Sequence, residues 1–259
     1  MLRSAIAVIF LTLFLLLAGP LLILHCVLTG SPEMLFRTAV RAARVALVIC
    51  GIKVKAEGRE NIPPGVCIFV ANHTSNADPP AVVGSIPRRV ALLGKKEVFK
   101  VPIFGTSLKL AGFVPVDRAN RESAIASVED ALAQLKGGVS YLVFPEGTRS
   151  PDGRLRPFKK GSFVMAIQAQ VPIVPVSVIG AHKVMRKGDP AVHPGTVTVQ
   201  FHPPVEVAGY TFERRDELIA RVQAIVASGL PEDQQPIVKN DNQADSSLRS
   251  LGFAQDEWE

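Results

Sequence analysis

His73 and Asp78 lie five residues apart in the segment Asn72-His73-Thr74-Ser75-Asn76-Ala77-Asp78, directly behind the apolar run Val66 to Ala71. A neutral imidazole can take a proton from an alcohol near neutral pH. An aspartate accepting its other ring N–H fixes the tautomer and stabilises the imidazolium that forms. The spacing is too long for an ideal helical pair, so the segment must turn to fold Asp78 back onto His73. Pro79-Pro80 then predicts a defined bend rather than a continuous helix. The Ser75 hydroxyl suits capping of that turn better than nucleophilic attack. A histidine with a chance aspartate nearby is common, so the pair needs further groups around it before it signals catalysis.

A second polar cluster, Phe144-Pro145-Glu146-Gly147-Thr148-Arg149-Ser150, also follows an apolar run, Val139 to Phe144. A third, Gly112-Phe113-Val114-Pro115-Val116-Asp117-Arg118, runs apolar and ends in a charged pair. In open α/β sheets, ligands bind at the carboxyl ends of strands, so all three clusters are expected on one crevice. Arg118 and Arg149 at its rim suit bidentate contact with phosphate, with Lys95, Lys96, Lys159 and Lys160 adding positive field. The implied ligand is an anion, a phosphate by preference.

These segments, with Val174-Pro175-Val176, resemble the four ordered motifs of the glycerolipid acyltransferases, whose bacterial members include 1-acylglycerol-3-phosphate acyltransferases. The resemblance covers roughly residues 52 to 210. It implies transfer of a fatty acyl group from the thioester of acyl-CoA or acyl-carrier protein to the sn-2 hydroxyl of 1-acyl-sn-glycerol 3-phosphate, giving phosphatidate. His73 would be the general base and Asp78 its orienting partner. Arg118, Glu146 and Arg149 would bind the glycerol phosphate, and Gly147 would let backbone approach the ligand. Glu146 has an alternative role, bonding neighbouring backbone N–H groups to shape its loop. Two other functions remain open: acyl transfer to a different lysolipid, and non-catalytic binding of anionic lipid.

No G-x-S-x-G elbow is present, which argues against a covalent serine hydrolase. His73, His182, His193 and His202 lack H-E-x-x-H or paired-cysteine spacing, so no metal and no resident cofactor are expected. His182, His193 and His202 read as loop or strand-end residues. Cys26, Cys50 and Cys67 sit in apolar runs and read as small hydrophobes in a reducing compartment.

The elements that position these groups follow from the apolar pattern. Strands are expected near Ile52 to Ala56, Val66 to Ala71, Val90 to Leu93, Phe113 to Val116, Val139 to Phe144, Ile173 to Val178 and Thr196 to Phe201. Helices are expected over Asn120 to Leu135, Gly161 to Gln170 and Glu213 to Ala227. The first would bury Ile125, Val128, Leu132 and Leu135 and end at Gly137-Gly138. The fold class is α/β, a mixed sheet flanked by helices, preceded by an N-terminal membrane-binding helical segment.

Ahead of the 51–230 catalytic domain, residues 1–50 form that anchor. Ala5 to Leu28 contains no charged residue. At about 1.5 Å per residue its length is about 36 Å, enough for a bilayer core of about 30 Å. Gly19-Pro20 lies inside it, so a helix dipping into one leaflet competes with a straight crossing, and a cleaved signal peptide is a third option. Ser31, Pro32 and Glu33 open a second helix running to Cys50, on which Arg37, Arg41 and Arg44 form a basic stripe suited to an anionic headgroup layer. Lys53, Lys55 and Arg59 continue the positive charge, which, if the first segment spans, places the catalytic domain on the cytoplasmic face.

The net charge is +6; from Pro231 onward there are seven acidic and two basic residues, net −5, so residues 1–230 carry +11. Such a body favours a membrane, phosphate substrates and an acidic carrier; nucleic acid would need recognition motifs that are absent. The tail, 231–259, is polar and has the composition of a disordered segment.

Overall fold

The structure is a computed structural model that describes residues 2–117, 121–186, 188–189 and 191–236. Two helices come first, α1 (Leu2–Thr29) and α2 (Glu33–Ile49). The body then alternates β1 (Ile52–Glu57), β2 (Ile68–Ala71), α3 (Asp78–Ser85), β3 (Val90–Lys95), α4 (Phe104–Leu110), β4 (Val114–Val116) and α5 (Arg121–Lys136). It continues with β5 (Ser140–Val143), α6 (Gly161–Ala169), β6 (Ile173–Ile179), α7 (Ala181–Val184), β7 (Gly195–Phe201) and α8 (Arg215–Ser228).

All seven expected strands form one sheet in the order β1-β7-β6-β2-β5-β3-β4. Five strands, β6 to β4 in that order, run parallel, while β7 is antiparallel to β6 and carries β1 parallel to itself. The register pairs Val70 with both Val143 and Pro175, so the carboxyl ends of β2 and β5 are level within a residue, while β6 runs on to Ile179, past Val176 opposite Ala71. β2 and β5 are buried along their whole length, as expected of parallel strands covered on both faces. Alternate residues face opposite ways. Phe69, Ala71 and Leu142 pack toward α2 and α3, whereas Ile68, Val70 and Tyr141 pack toward α5, α6 and α8.

Several local expectations shift. Pro79 and Pro80 do not form a separate bend; they occupy the start of α3, where their missing N–H groups would have had no intrahelical partner. Pro32, not Ser31, holds the cap position of α2, and Ser31 Oγ accepts from Glu33 N at 3.5 Å. On α5 the buried positions include Ser127, Ala131 and Leu135, while Leu132 is half-buried. Ser127 reaches the core because its hydroxyl donates to Pro115 O at 2.7 Å. His182 lies in the short helix α7, not in a loop. The expected disordered tail begins late. Gln234 is buried, and its carbonyl accepts from Leu155 N at 2.8 Å, so residues 231–236 belong to the body. The rest of the tail lies outside the described residues.

α1 packs along α2 and α4. Near its start, Ser4 Oγ accepts from Val192 N at 3.3 Å. Toward its end, Leu22 and Cys26 pack with Leu35 and Leu110. Between them Gly19 faces Ile103; a Cβ there would come within 2.5 Å of Ile103 Cγ2. Ile103 has φ 62 and ψ −55, and Phe104 N donates to Pro102 O at 2.6 Å. That is the rare γ-turn, strained for a β-branched residue. The outward face of α1 is apolar, with Leu17, Leu21 and Leu28 among its exposed side chains.

Candidate active site

β2 ends at Ala71 and delivers Asn72 and His73 to the carboxyl edge of the sheet. The Asn72 side chain is buried and ties this end to β6: Nδ2 donates to Val178 O at 2.9 Å and Val178 N donates to Oδ1 at 2.7 Å. His73 therefore leaves from a fixed point. The chain then turns so that Asp78, at the start of α3, comes back to it, with Asp78 Oδ2 2.8 Å from His73 Nδ1. The same oxygen accepts from Thr74 N at 2.6 Å and Ser75 N at 2.8 Å. The Asp78 side chain is fully buried and lies at the positive end of the α3 dipole.

With the carboxylate accepting, Nδ1 carries the proton and Nε2 presents its lone pair. Nε2 makes no hydrogen bond among the described residues. The ring stacks on Phe144, with centroids 4.4 Å apart and planes at 27°. Ser75 Oγ accepts from Ala77 N at 3.0 Å and donates to Met185 O at 2.9 Å, the capping role expected of it.

β5 ends at Val143 and supplies the second loop, where Gly147 N donates to Phe144 O at 3.1 Å to close a turn with Pro145 inside. Glu146 points inward. Its Oε1 accepts from His73 N at 2.6 Å and its Oε2 from Arg156 N at 3.3 Å. Only 3% of Glu146 is exposed, and its contacts are those of the backbone-bonding alternative. Burial pushes its carboxyl up to about 8; the two N–H bonds oppose the rise and the Asp78 charge adds to it.

Ser150 N donates to His73 O at 2.8 Å, which holds Arg149 beside the histidine; Arg149 itself is half-buried. Gly147 has φ 73, and the Lys159 side chain crosses it; a Cβ there would lie 2.9 Å from Lys159 Nζ. The four lysines separate. Lys96 pairs with Asp117, Lys95 lies 3.7 Å from Glu97 and Lys160 lies 3.7 Å from Asp216. Lys159 has no acidic partner among the described residues. In the sequence the four lysines are indistinguishable, and the crossing of Gly147 by Lys159 is visible only in the folded loop. Arg118 lies outside the described residues.

Pro79 and Pro80, immediately after Asp78, also line an apolar cavity of about 470 Å³ between α1, α2, α3 and α4. Phe14, Leu35, Phe36, Val83 and Phe104 are among its walls. No cluster of three His, Cys, Asp or Glu side chains placed to hold a metal occurs among the described residues. Cys26, Cys50 and Cys67 are free and buried.

Residues 53–179 match the family model described as Acyltransferase. The chain is 34% identical over 208 residues to a 1-acyl-sn-glycerol-3-phosphate acyltransferase of Cocos nucifera, covering 80% of this chain and 67% of that one. With the enzyme of the same name from Escherichia coli (strain K12) it shares 34% over 169 residues, covering 65% and 68%. The chain thus spans about two thirds of the length of these relatives. The crystal structure of the 1-acyl-sn-glycerophosphate (LPA) acyltransferase from Thermotoga maritima superposes with a TM-score of 0.78 at 31% identity, covering 88% of this chain and 93% of that one.

Proposed function

The chain belongs to the acyltransferase family of the 1-acyl-sn-glycerol-3-phosphate acyltransferases, and from that premise we propose how its residues carry out the reaction. The enzyme transfers a fatty acyl group to the sn-2 hydroxyl of 1-acyl-sn-glycerol 3-phosphate, giving phosphatidate. The observation that carries the residue assignment is the His73 Nδ1 to Asp78 Oδ2 contact of 2.8 Å, with Nε2 unbonded among the described residues.

His73 Nε2 takes the proton of the hydroxyl as the hydroxyl oxygen attacks the thioester carbonyl. Asp78 holds the ring and stabilises its charge. The tetrahedral intermediate collapses with loss of the thiolate, which takes back the proton from His73. The new ester bond replaces the thioester bond, and no acyl-enzyme forms. Glu146 acts by holding the His73 backbone, a positioning role supported by its two N–H bonds. Arg149 and Lys159 meet the substrate phosphate, with Arg118 assigned there by its motif alone. Gly147, lacking a Cβ, lets the Lys159 side chain cross the loop closely. The apolar cavity behind Pro79 and Pro80 receives a fatty acyl chain, since its chemistry matches that ligand and it adjoins Asp78. The acyl donor is acyl-CoA or acyl-carrier protein.

The protein associates with the membrane through α1, which is long and apolar enough to cross a bilayer. A single-leaflet position is favoured over a crossing because α1 meets the catalytic body near both ends, at Val192 and at Leu110. The body then faces the cytoplasm, where the thioester donors are found.

The test is transfer of labelled acyl groups by the full chain in liposomes containing a panel of lysolipids. Wild type is expected to form phosphatidate, and His73→Ala to lose roughly a thousandfold in kcat. Undiminished turnover by His73→Ala would overturn the assignment of the base.

A further inference from the structure

A second cavity, also about 470 Å³, opens between α2, β1 and α3. None of its lining residues belongs to the loops carrying His73, Glu146 or Arg149. Three cations line it, one from each of three segments: Arg44 from α2, Lys53 from β1 and Arg59 from the turn after β1. None of the three side chains has a hydrogen bond or an acidic partner among the described residues, although Glu57 and Glu60 flank Arg59 in sequence. Three like charges sharing one groove repel each other unless an anion occupies it.

The groove also has features that open solvent alone would not require. Gly84 of α3 lacks the Cβ that would sit 3.0 Å from Arg44 Nε and 3.4 Å from its Cγ, so the arginine stem lies across the helix into the groove. The remaining lining is mainly apolar, from Leu47, Val48, Ile52, Ala56 and Pro80. β1 is the last strand of the sheet and closes one side. Arg44 continues the α2 stripe of Arg37 and Arg41, beside Val45 and Val48, which are 45% and 72% exposed. That mixture of arginine and exposed valine is the composition of a helix lying at a headgroup layer.

We propose that the groove between α2, β1 and α3 binds one anionic phospholipid, its phosphate held by Arg44, Lys53 and Arg59 and its glycerol and upper acyl carbons laid on the apolar floor. This site lies apart from the His73, Glu146 and Arg149 loops, sharing only Pro80 with the wall of the acyl-chain cavity, and does not turn its lipid over. A membrane lipid fits better than an acidic protein because the floor is apolar and the groove continues the interfacial face of α2.

Native mass spectrometry of the full chain in neutral micelles containing phosphatidylglycerol or phosphatidylcholine tests the site. The diester phosphatidylglycerol has both acyl positions filled and cannot act as the acceptor lysolipid. One phosphatidylglycerol per chain should be retained, at least about tenfold more tightly than phosphatidylcholine. Arg44→Gln/Lys53→Gln/Arg59→Gln should lower retention to the phosphatidylcholine level. Arg37→Gln/Arg41→Gln/Lys55→Gln, which removes equal charge nearby, and Arg149→Ala should both retain it. Equal loss in the two triple variants would reduce the site to diffuse charge. Loss in Arg149→Ala would move the lipid to the catalytic crevice. Displacement by millimolar inorganic phosphate, or by acyl-CoA, would mark a site for a free ion or for the donor. Each of those results overturns the proposal. Retention is read without turnover, so the outcome stands apart from any acyl-transfer assay.

Discussion

At the scale of the residue, a single carboxylate oxygen organises the base. Asp78 Oδ2 gathers the His73 ring and two backbone N–H groups, while Glu146 takes the His73 backbone N–H from the other side. The two acids differ in how they are held. Glu146 is raised to about 8, so burial favours its neutral form, which avoids a second negative charge beside Asp78. A carboxyl raised above its unfolded value contributes stability at low pH that is lost as pH climbs through about 8. Thermal melts should therefore show wild type losing more stability between pH 6 and pH 9 than Glu146→Gln; equal losses would remove Glu146 as the cause. Lys159 and Lys160 make a second comparison. Lys159 crosses Gly147, whereas Lys160 faces Asp216. Lys159→Ala should raise KM for 1-acyl-sn-glycerol 3-phosphate roughly tenfold with kcat little changed, and Lys160→Ala should leave both near wild type. The pairing of His73 with Asp78 was legible in the sequence, because a strand end followed by two prolines leaves few places for the carboxylate to go. The inward turn of Glu146 was legible only as one of two roles, because the choice depends on a loop 73 residues away in sequence.

At the scale of the element, the sheet needs tight approaches that particular glycines allow. Gly58 has φ 70, and a Cβ there would come within 2.1 Å of Phe201 O, where the chain leaving β1 passes the end of β7. Gly209 has φ 84 but open space around its missing Cβ. Gly58→Ala combines backbone strain with a backbone clash and should destabilise by about 2 kcal/mol or more, against about 1 kcal/mol for Gly209→Ala. Denaturation midpoints of the two variants would check the difference, and comparable losses would count against the clash. Every strand was visible as an apolar or alternating run, with ends within two residues of those observed. Their order was not, since β6 pairs with β2 across more than a hundred residues, which leaves no local mark. The prolines of α3 were misread as a bend because the same residues that break a helix interior also start one.

At the scale of the whole molecule, the anchor and the catalytic body form one packed unit. α1 is about 42 Å long by its 28 residues and meets the body near both ends. Single cysteines replacing Leu2 and Gly30, one at each end of the helix, should both react from the same side of a sealed vesicle with a membrane-impermeant maleimide. Reaction from opposite sides would establish a crossing. The apolar length of α1 was plain from the sequence, but its orientation was not, because length alone suits a helix that crosses and one that lies along a leaflet.

The hydrogen bond between Ser4 and Val192 joins residues 188 positions apart. At the usual pace of translation, the first helix leaves the ribosome roughly 10–40 s before its distal partner has been made. During that interval α2, which follows at once, can cover only the face of the helix that carries Leu22 and Cys26, while Leu17, Leu21 and Leu28 stay turned outward. If that outward face enters a bilayer as it emerges, the sheet assembles on a helix that has already reached its final environment.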